Sequence, residues 1–188
     1  MTLFRETADV SVRPAVPGDE HAMARVQLAA WRQAHADVLG PGVLDALDAE
    51  AVTAQWRQAI VAPPGPGYRV LVACDGPEIV GVASVAPVPP PEDRPLEPPG
   101  GVLLALEVSP GAQRSGHGSR LLAAAVDLLR EDGADQLHTW VLDGDEARSR
   151  FLAGAGLGPD EASRELYSGV GPDGQPRVVR EHRWSALL

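Results

Sequence analysis

The sequence predicts an α/β fold with a mixed central sheet of about six to seven strands flanked by about four helices, forming a single domain over residues 1–188. Three observations carry this. Residues 68–74 and 79–88 are β-forming runs on either side of Asp75-Gly76, a hairpin-turn pair, so part of the sheet is antiparallel. Residues 102–155 run strand, glycine turn, helix, strand, helix, which is a βαβα unit. At 188 residues the chain suits one core and falls short of the length at which two would be expected.

Val10-Ser11-Val12-Arg13-Pro14 alternates as a short strand, stopped by Pro14 and Pro17-Gly18-Asp19. Asp19 is suited to cap the next helix, whose Met23, Val26, Ala30 and Trp31 recur at helical spacing until Gly40-Pro41-Gly42 ends it. A second helical region runs through Leu44, Leu47, Val52, Trp56 and Ile60, read as two pieces, and closes at Pro63-Pro64-Gly65-Pro66-Gly67. The hairpin comes next. Residues 87–100 then hold seven prolines, a density that helices and central strands do not tolerate, so a long surface loop is expected. The strand at 102–108 shows little polar alternation, as suits a central strand covered on both faces. It leads through Pro110 into a turn bearing Gly116 and Gly118, and then into a helix that turns Leu121, Leu122, Ala125, Val126, Leu128 and Leu129 inward before Asp132-Gly133. Residues 136–142 read as a strand, and 143–155 as a helix with Ala147, Phe151 and Leu152 as its apolar positions. The tail, with strands at 164–170 and 177–184 around Gly171-Pro172-Asp173-Gly174, reads as a closing hairpin.

Composition removes several functions. A formal charge of −10 argues against a polyanionic partner such as nucleic acid held on a broad basic face. All 16 basic residues are Arg, and the absence of Lys excludes both Schiff-base chemistry and a phosphate-loop Lys. The single Cys74 cannot form an internal disulfide or, alone, a structural zinc site; no metal is expected, and the cytoplasm is the expected compartment. Residues 1–12 lack a continuous apolar run and no later segment has the length of a membrane span, so no membrane partner is expected.

The stretch Leu106-Glu107-Val108-Ser109-Pro110-Gly111-Ala112-Gln113-Arg114-Ser115-Gly116-His117-Gly118-Ser119 carries the chemistry. A glycine turn entering a helix presents backbone N–H groups that lack internal partners at the positive end of the helix dipole, a ready anion site. A nucleoside-triphosphate loop would need a Lys, and a dinucleotide fingerprint would need a third glycine where Leu121 stands. The pattern Gln/Arg-x-x-Gly-x-Gly/Ala after a strand that ends in x-Pro is filled completely by Gln113-Arg114-Ser115-Gly116-His117-Gly118.

In this motif, and in the order of elements around it, the chain resembles the Gcn5-related N-acetyltransferase (GNAT) family. The resemblance implies a GNAT-like fold and an acetyl-CoA-dependent transfer to a primary amine by direct attack in a ternary complex, the acceptor being a small molecule or a peptide. It implies that Gln113 to Ser119 cradle the CoA pyrophosphate, held by the amides of Arg114, Ser115, Gly116, His117, Gly118 and Ser119, and that backbone groups of Leu106 and Val108 pair with the pantetheine arm. The Val108 N–H would stabilise the oxyanion. Glu107 is the best-sited carboxylate to take the amine proton, although the position equally suits a solvated or substrate-orienting charge. His117 would flank phosphate, His35 would line the acceptor pocket or serve a packing role, and a homodimer through the C-terminal hairpin is a family analogy.

The pattern departs in the helix at 143–155. Many members have Asn, two residues, Ala, two residues, Phe-Tyr, with the Tyr as general acid. Here Asp145 replaces the Asn, carrying its CoA contact weakly, and Leu152 replaces the Tyr and has no proton to give; Tyr167 or Ser149 could substitute. Arg148 and Arg150 read as a solvated helix face. The missing acid keeps a second function open, a CoA-binding sensor or interaction protein with little or no turnover.

Overall fold

A computed structural model describes residues 10–39, 41–90, 92–93, 96, 99–170 and 175–188. The elements in chain order are β1 (Val10–Pro14), α1 (Glu20–Leu39), α2 (Pro41–Asp45), α3 (Ala49–Val61), β2 (Arg69–Asp75), β3 (Glu78–Val88), β4 (Gly100–Val108), a 3₁₀ turn (Pro110–Ala112), α4 (His117–Glu131), β5 (Gln136–Leu142), α5 (Glu146–Gly154), β6 (Gly158–Val170) and β7 (Pro176–Leu187). The second helical region is indeed two pieces, α2 and α3. Much of the proline-rich stretch, the turn at 171–174 and Gly40 lie outside the described residues.

All seven strands form one sheet in the order β1-β2-β3-β4-β5-β7-β6. Only β4 and β5 are parallel, joined by the crossover through α4; the other neighbours are antiparallel, including β1 and β2, although α1, α2 and α3 lie between them in the chain. Pro14 is tolerated because β1 is an edge strand, where a missing N–H costs no ladder bond on the open side. Strand alternation then sorts the side chains. Leu71, Ala73, Ala83 and Val85 turn to one face, where Leu121, Leu122, Ala125 and Leu129 of α4 and Leu152 of α5 cover them. Val70, Val72, Cys74 and Val82 turn to the other, against Met23, Ala24 and Val26 of α1 and Trp56 of α3. Cys74 is thus a buried thiol, and Trp184 packs at the margin of the first core. Among the described residues no helix is long and apolar enough to cross a membrane.

Two features of β4 open the sheet at its centre. Against β3, Val85 pairs with Leu103 and Ser84 with Ala105, so Leu104 is an extra residue, a β-bulge, and is 52% exposed. Sequence alternation does not reveal this, and the strand is therefore less fully covered than its composition suggests. Against β5, pairing covers only Gly100↔Gln136, Gly101↔Leu137 and Val102↔His138. Beyond that, the Thr139 hydroxyl donates to the Leu103 carbonyl at 2.9 Å, and the strands part where the bulge adds local twist. The C-terminal hairpin starts earlier than expected, at Gly158, and α5 starts at Glu146 because the Asp145 carboxylate accepts from Arg148 N at 2.9 Å and caps it.

Gly101 holds the paired end of this fork. A Cβ there would lie 2.5 Å from Leu129 Cδ1 and 2.7 Å from Cδ2. Leu129 is 1% exposed and has nowhere to retreat. Gly101→Ala is therefore expected to destabilise the fold by about 1–3 kcal/mol through overpacking, seen as a lower urea midpoint at unchanged slope.

Candidate functional site

Where β4 and β5 diverge, a cavity of about 590 Å³ opens, a size ordinary for a small-molecule site. Its wall draws on α1 (Ala30, Ala34, His35), β4 (Leu106, Glu107, Val108), the turn and start of α4 (Gln113, Arg114, Gly116, Gly118, Ser119) and the α5 region (Asp145, Ala147, Arg148, Arg150, Phe151).

The edge that β4 offers to this cavity is set by its ladder. Ser109 N donates to Val80 O at 2.8 Å, so the backbone groups of residue 109 face β3. Strand alternation then turns those of Val108 and Leu106 the opposite way, toward the gap. Their carbonyls agree: Leu106 O accepts from Arg148 Nη1 at 3.1 Å and Val108 O from Gln113 Nε2 at 3.2 Å.

The turn is built for close approach. Arg114 has φ 62°, and Gly116, the residue before α4, has φ 83°, a left-handed conformation that favours glycine. The first helical backbone bond is Arg120 N to Gly116 O at 3.1 Å, which leaves the amides of His117, Gly118 and Ser119 without partners inside the helix. Arg120 Nη1 donates to Ser115 O at 3.0 Å, bringing its guanidinium beside the turn. Two expectations are adjusted. His117 is 2% exposed with Nδ1 unpartnered and is not part of the cavity wall, so its ring is buried instead of flanking the site, and Ser115 also lies off the cavity wall. Neither change removes the backbone amides.

Glu107 is the carboxylate at the centre. Its side chain is 14% exposed; Oε1 accepts from Trp31 Nε1 at 3.2 Å and from Arg148 Nη1 at 3.5 Å. Burial pushes its pKa above the ordinary carboxylate value, opposed by the Arg148 charge and the Trp31 hydrogen bond and assisted by Asp145. His35 stands 3.9 Å from Asp145 through Nδ1 and has its pKa lowered, first by burial, which keeps the imidazole neutral near pH 7.

Arg148 is therefore a wall of the cavity, not a solvated helix face, because the diverging strands leave room for a guanidinium to reach the β4 edge. Arg150 remains 78% exposed at its rim. Leu152 is fully buried in the core, and Phe151 supplies the wall beside it, so neither residue has a proton to donate. Ser149 and Tyr167 are not on the cavity wall, and Tyr167 is 66% exposed on β6. Sequence reading missed Trp31 and Arg148 as partners of Glu107, since they lie 76 and 41 residues away.

A family model described as the acetyltransferase (GNAT) family matches residues 28–158. No curated protein matches the chain. Among solved structures, PaiA N-acetyltransferase from Thermoplasma acidophilum, in complex with coenzyme A, superposes with a TM-score of 0.69 at 14% identity, over 91% of this chain and 97% of that one. A ribosomal-protein-alanine N-acetyltransferase from Brucella melitensis gives 0.62 at 22%, over 95% and 99%. YncA of Salmonella typhimurium, with its cofactor acetyl-CoA, gives 0.61 at 19%, over 95% and 94%. At these identities the likeness is one of fold.

Proposed function

Since the chain belongs to the GNAT acetyltransferase family, we propose that it is an acetyl-CoA-dependent N-acetyltransferase acting on a primary amine, with residues 1–188 forming one catalytic domain. The observation that carries this is the cavity at the β4–β5 fork, which combines an unpaired β4 edge, a helix N-terminus and a buried carboxylate.

The residues present fit CoA. Gly116, Gly118 and the free amides at the start of α4 suit a pyrophosphate, with Arg114 and Arg150 adding positive charge nearby. The outward edge of Leu106 and Val108 suits an amide-bearing arm, which takes over the backbone carbonyls from Arg148 and Gln113. When bound, acetyl-CoA supplies the acetyl group as a thioester. Everything else falls to the chain. An alkyl amine has a pKa of about 10.4 and arrives protonated, so Glu107 takes a proton and frees the nitrogen lone pair. The Val108 N–H stabilises negative charge on the acyl oxygen as the carbon–nitrogen bond forms and the carbon–sulfur bond breaks. A thiol of pKa about 8.5 leaves tolerably as thiolate, so solvent can return its proton without a Tyr at position 152.

Thiol release from acetyl-CoA over a panel of small amines and peptides, with calorimetric CoA binding alongside, tests the proposal. Binding with turnover on at least one amine is expected. Binding without turnover on any amine would favour the sensor reading that Leu152 keeps open, and no binding would overturn both.

A further inference from the structure

Glu107 is held through one oxygen only. Trp31 Nε1 and Arg148 Nη1, from helices on opposite faces of the sheet, both reach Oε1, at 3.2 and 3.5 Å. Among the described residues Oε2 receives no hydrogen bond, yet it is not one of the sealed polar atoms, which are His35 Nδ1, His117 Nδ1 and Arg148 Nε. It is therefore accessible, on a residue that lines the cavity.

We infer that Trp31 and Arg148 are positioning residues, which pin Oε1 so that Oε2 is the oxygen that takes the amine proton. This rests on the reading of Glu107 as base. A carboxylate on a strand has several rotamers, and a free one would swing both oxygens through the cavity or turn to the nearest guanidinium. Two donors on one oxygen remove that freedom and leave the other lone pairs unspent. The proton moves from the substrate nitrogen to Oε2, the electron pair stays on nitrogen, and neither Trp31 nor Arg148 changes its own protonation.

Arg148 has a second constraint. Its Nη1 also donates to Leu106 O at 3.1 Å, and its Nε is buried without a partner, so the β4 edge holds the guanidinium in place beside Glu107. When the Leu106 carbonyl turns to another donor, Nη1 is released wholly to Glu107. The other charged or titratable groups facing Glu107 are Asp145, at the start of α5, and His35, one turn beyond Trp31 on α1 and with its ring 6.4 Å from the indole. Val82, opposite Glu107 on β3, does not titrate.

The test has one arm that needs no turnover. In the free protein, the Trp31 indole ¹H–¹⁵N signal, assigned by its loss in Trp31→Phe, is expected to shift with a single pH midpoint above the ordinary Glu range. Glu107→Gln should abolish that midpoint. An indole signal that titrates identically in Glu107→Gln, or does not respond to pH at all, overturns the inference even if the enzyme is active. In the kinetic arm, Trp31→Phe keeps a ring and Arg148→Gln keeps a polar group. Each is expected to lower kcat about tenfold while the KM for acetyl-CoA changes less than about threefold, as loss of a positioned base predicts. Both substitutions remove a group that favours the charged carboxylate, so the acid limb of kcat should move to higher pH, and Arg148→Lys should restore part of the shift. An unmoved acid limb in both variants overturns it. If wild type turns over no amine while the indole behaves as expected, the contact stands and the base reading falls.

Discussion

Gly116→Asp is expected to lower CoA affinity by at least about 100-fold, roughly 2.7 kcal/mol, as measured by calorimetry, while circular dichroism stays that of the wild type. Three effects point the same way. Residue 116 has φ 83°, where a side chain costs on the order of 1–2 kcal/mol of backbone strain. A new Cβ would sit 3.0 Å from Arg120 Nη1, so the carboxylate draws that guanidinium away from Ser115 O and loosens the turn. The added negative charge also competes with phosphate for the amides of His117, Gly118 and Ser119 at the positive end of α4. Gly116→Ala separates these effects, since it brings the strain without the charge and should lose markedly less affinity. Undiminished affinity in Gly116→Asp would show that the turn does not hold the pyrophosphate.

The hydrogen bonds that shape the turn around Gly116 join residues no more than five apart in sequence, which is why the turn is legible from the chain. The same holds for the strands and for the two-piece helical region, where alternation, helical spacing and Gly/Pro punctuation are local signals. What was not legible depends on register. The bulge at Leu104 leaves no compositional trace, yet it accompanies the parting of β4 from β5, and the cavity exists because of that parting. Arg148 shows the consequence. Helical periodicity put it on a polar face, and only the open fork turns that face into a wall that reaches the Leu106 carbonyl. His117 went the other way: a His in a glycine-rich turn reads as accessible, but as the first residue of α4 it is buried. Sequence could propose Glu107 from its place before Val108, whereas its partners had to be found across the sheet.

Those partners give Glu107→Gln its expected result, a fall in kcat of about 10²–10⁴-fold with CoA affinity nearly unchanged. Gln keeps the shape and can still accept the Trp31 N–H through its amide oxygen, so the loss isolates proton acceptance from packing. The pH dependence is set by the raised pKa. A base must be ionised to act, so wild-type kcat should fall as pH drops through a midpoint above the ordinary Glu value of about 4.3, and the residual activity of Glu107→Gln should lack that limb. Stability runs in the opposite sense. A folded-state pKa above the unfolded one means the native protein binds this proton more tightly; its contribution is full below the unfolded pKa and is lost as pH rises through the folded pKa. Gln imitates the protonated form at every pH. Thermal melts of the two proteins should therefore coincide near pH 4 and separate above the kinetic midpoint, with Glu107→Gln the more stable. A variant that loses activity and melts lower at pH 8 would instead assign Glu107 a structural role, as the anchor of Arg148, and leave the base to be sought elsewhere on the cavity wall.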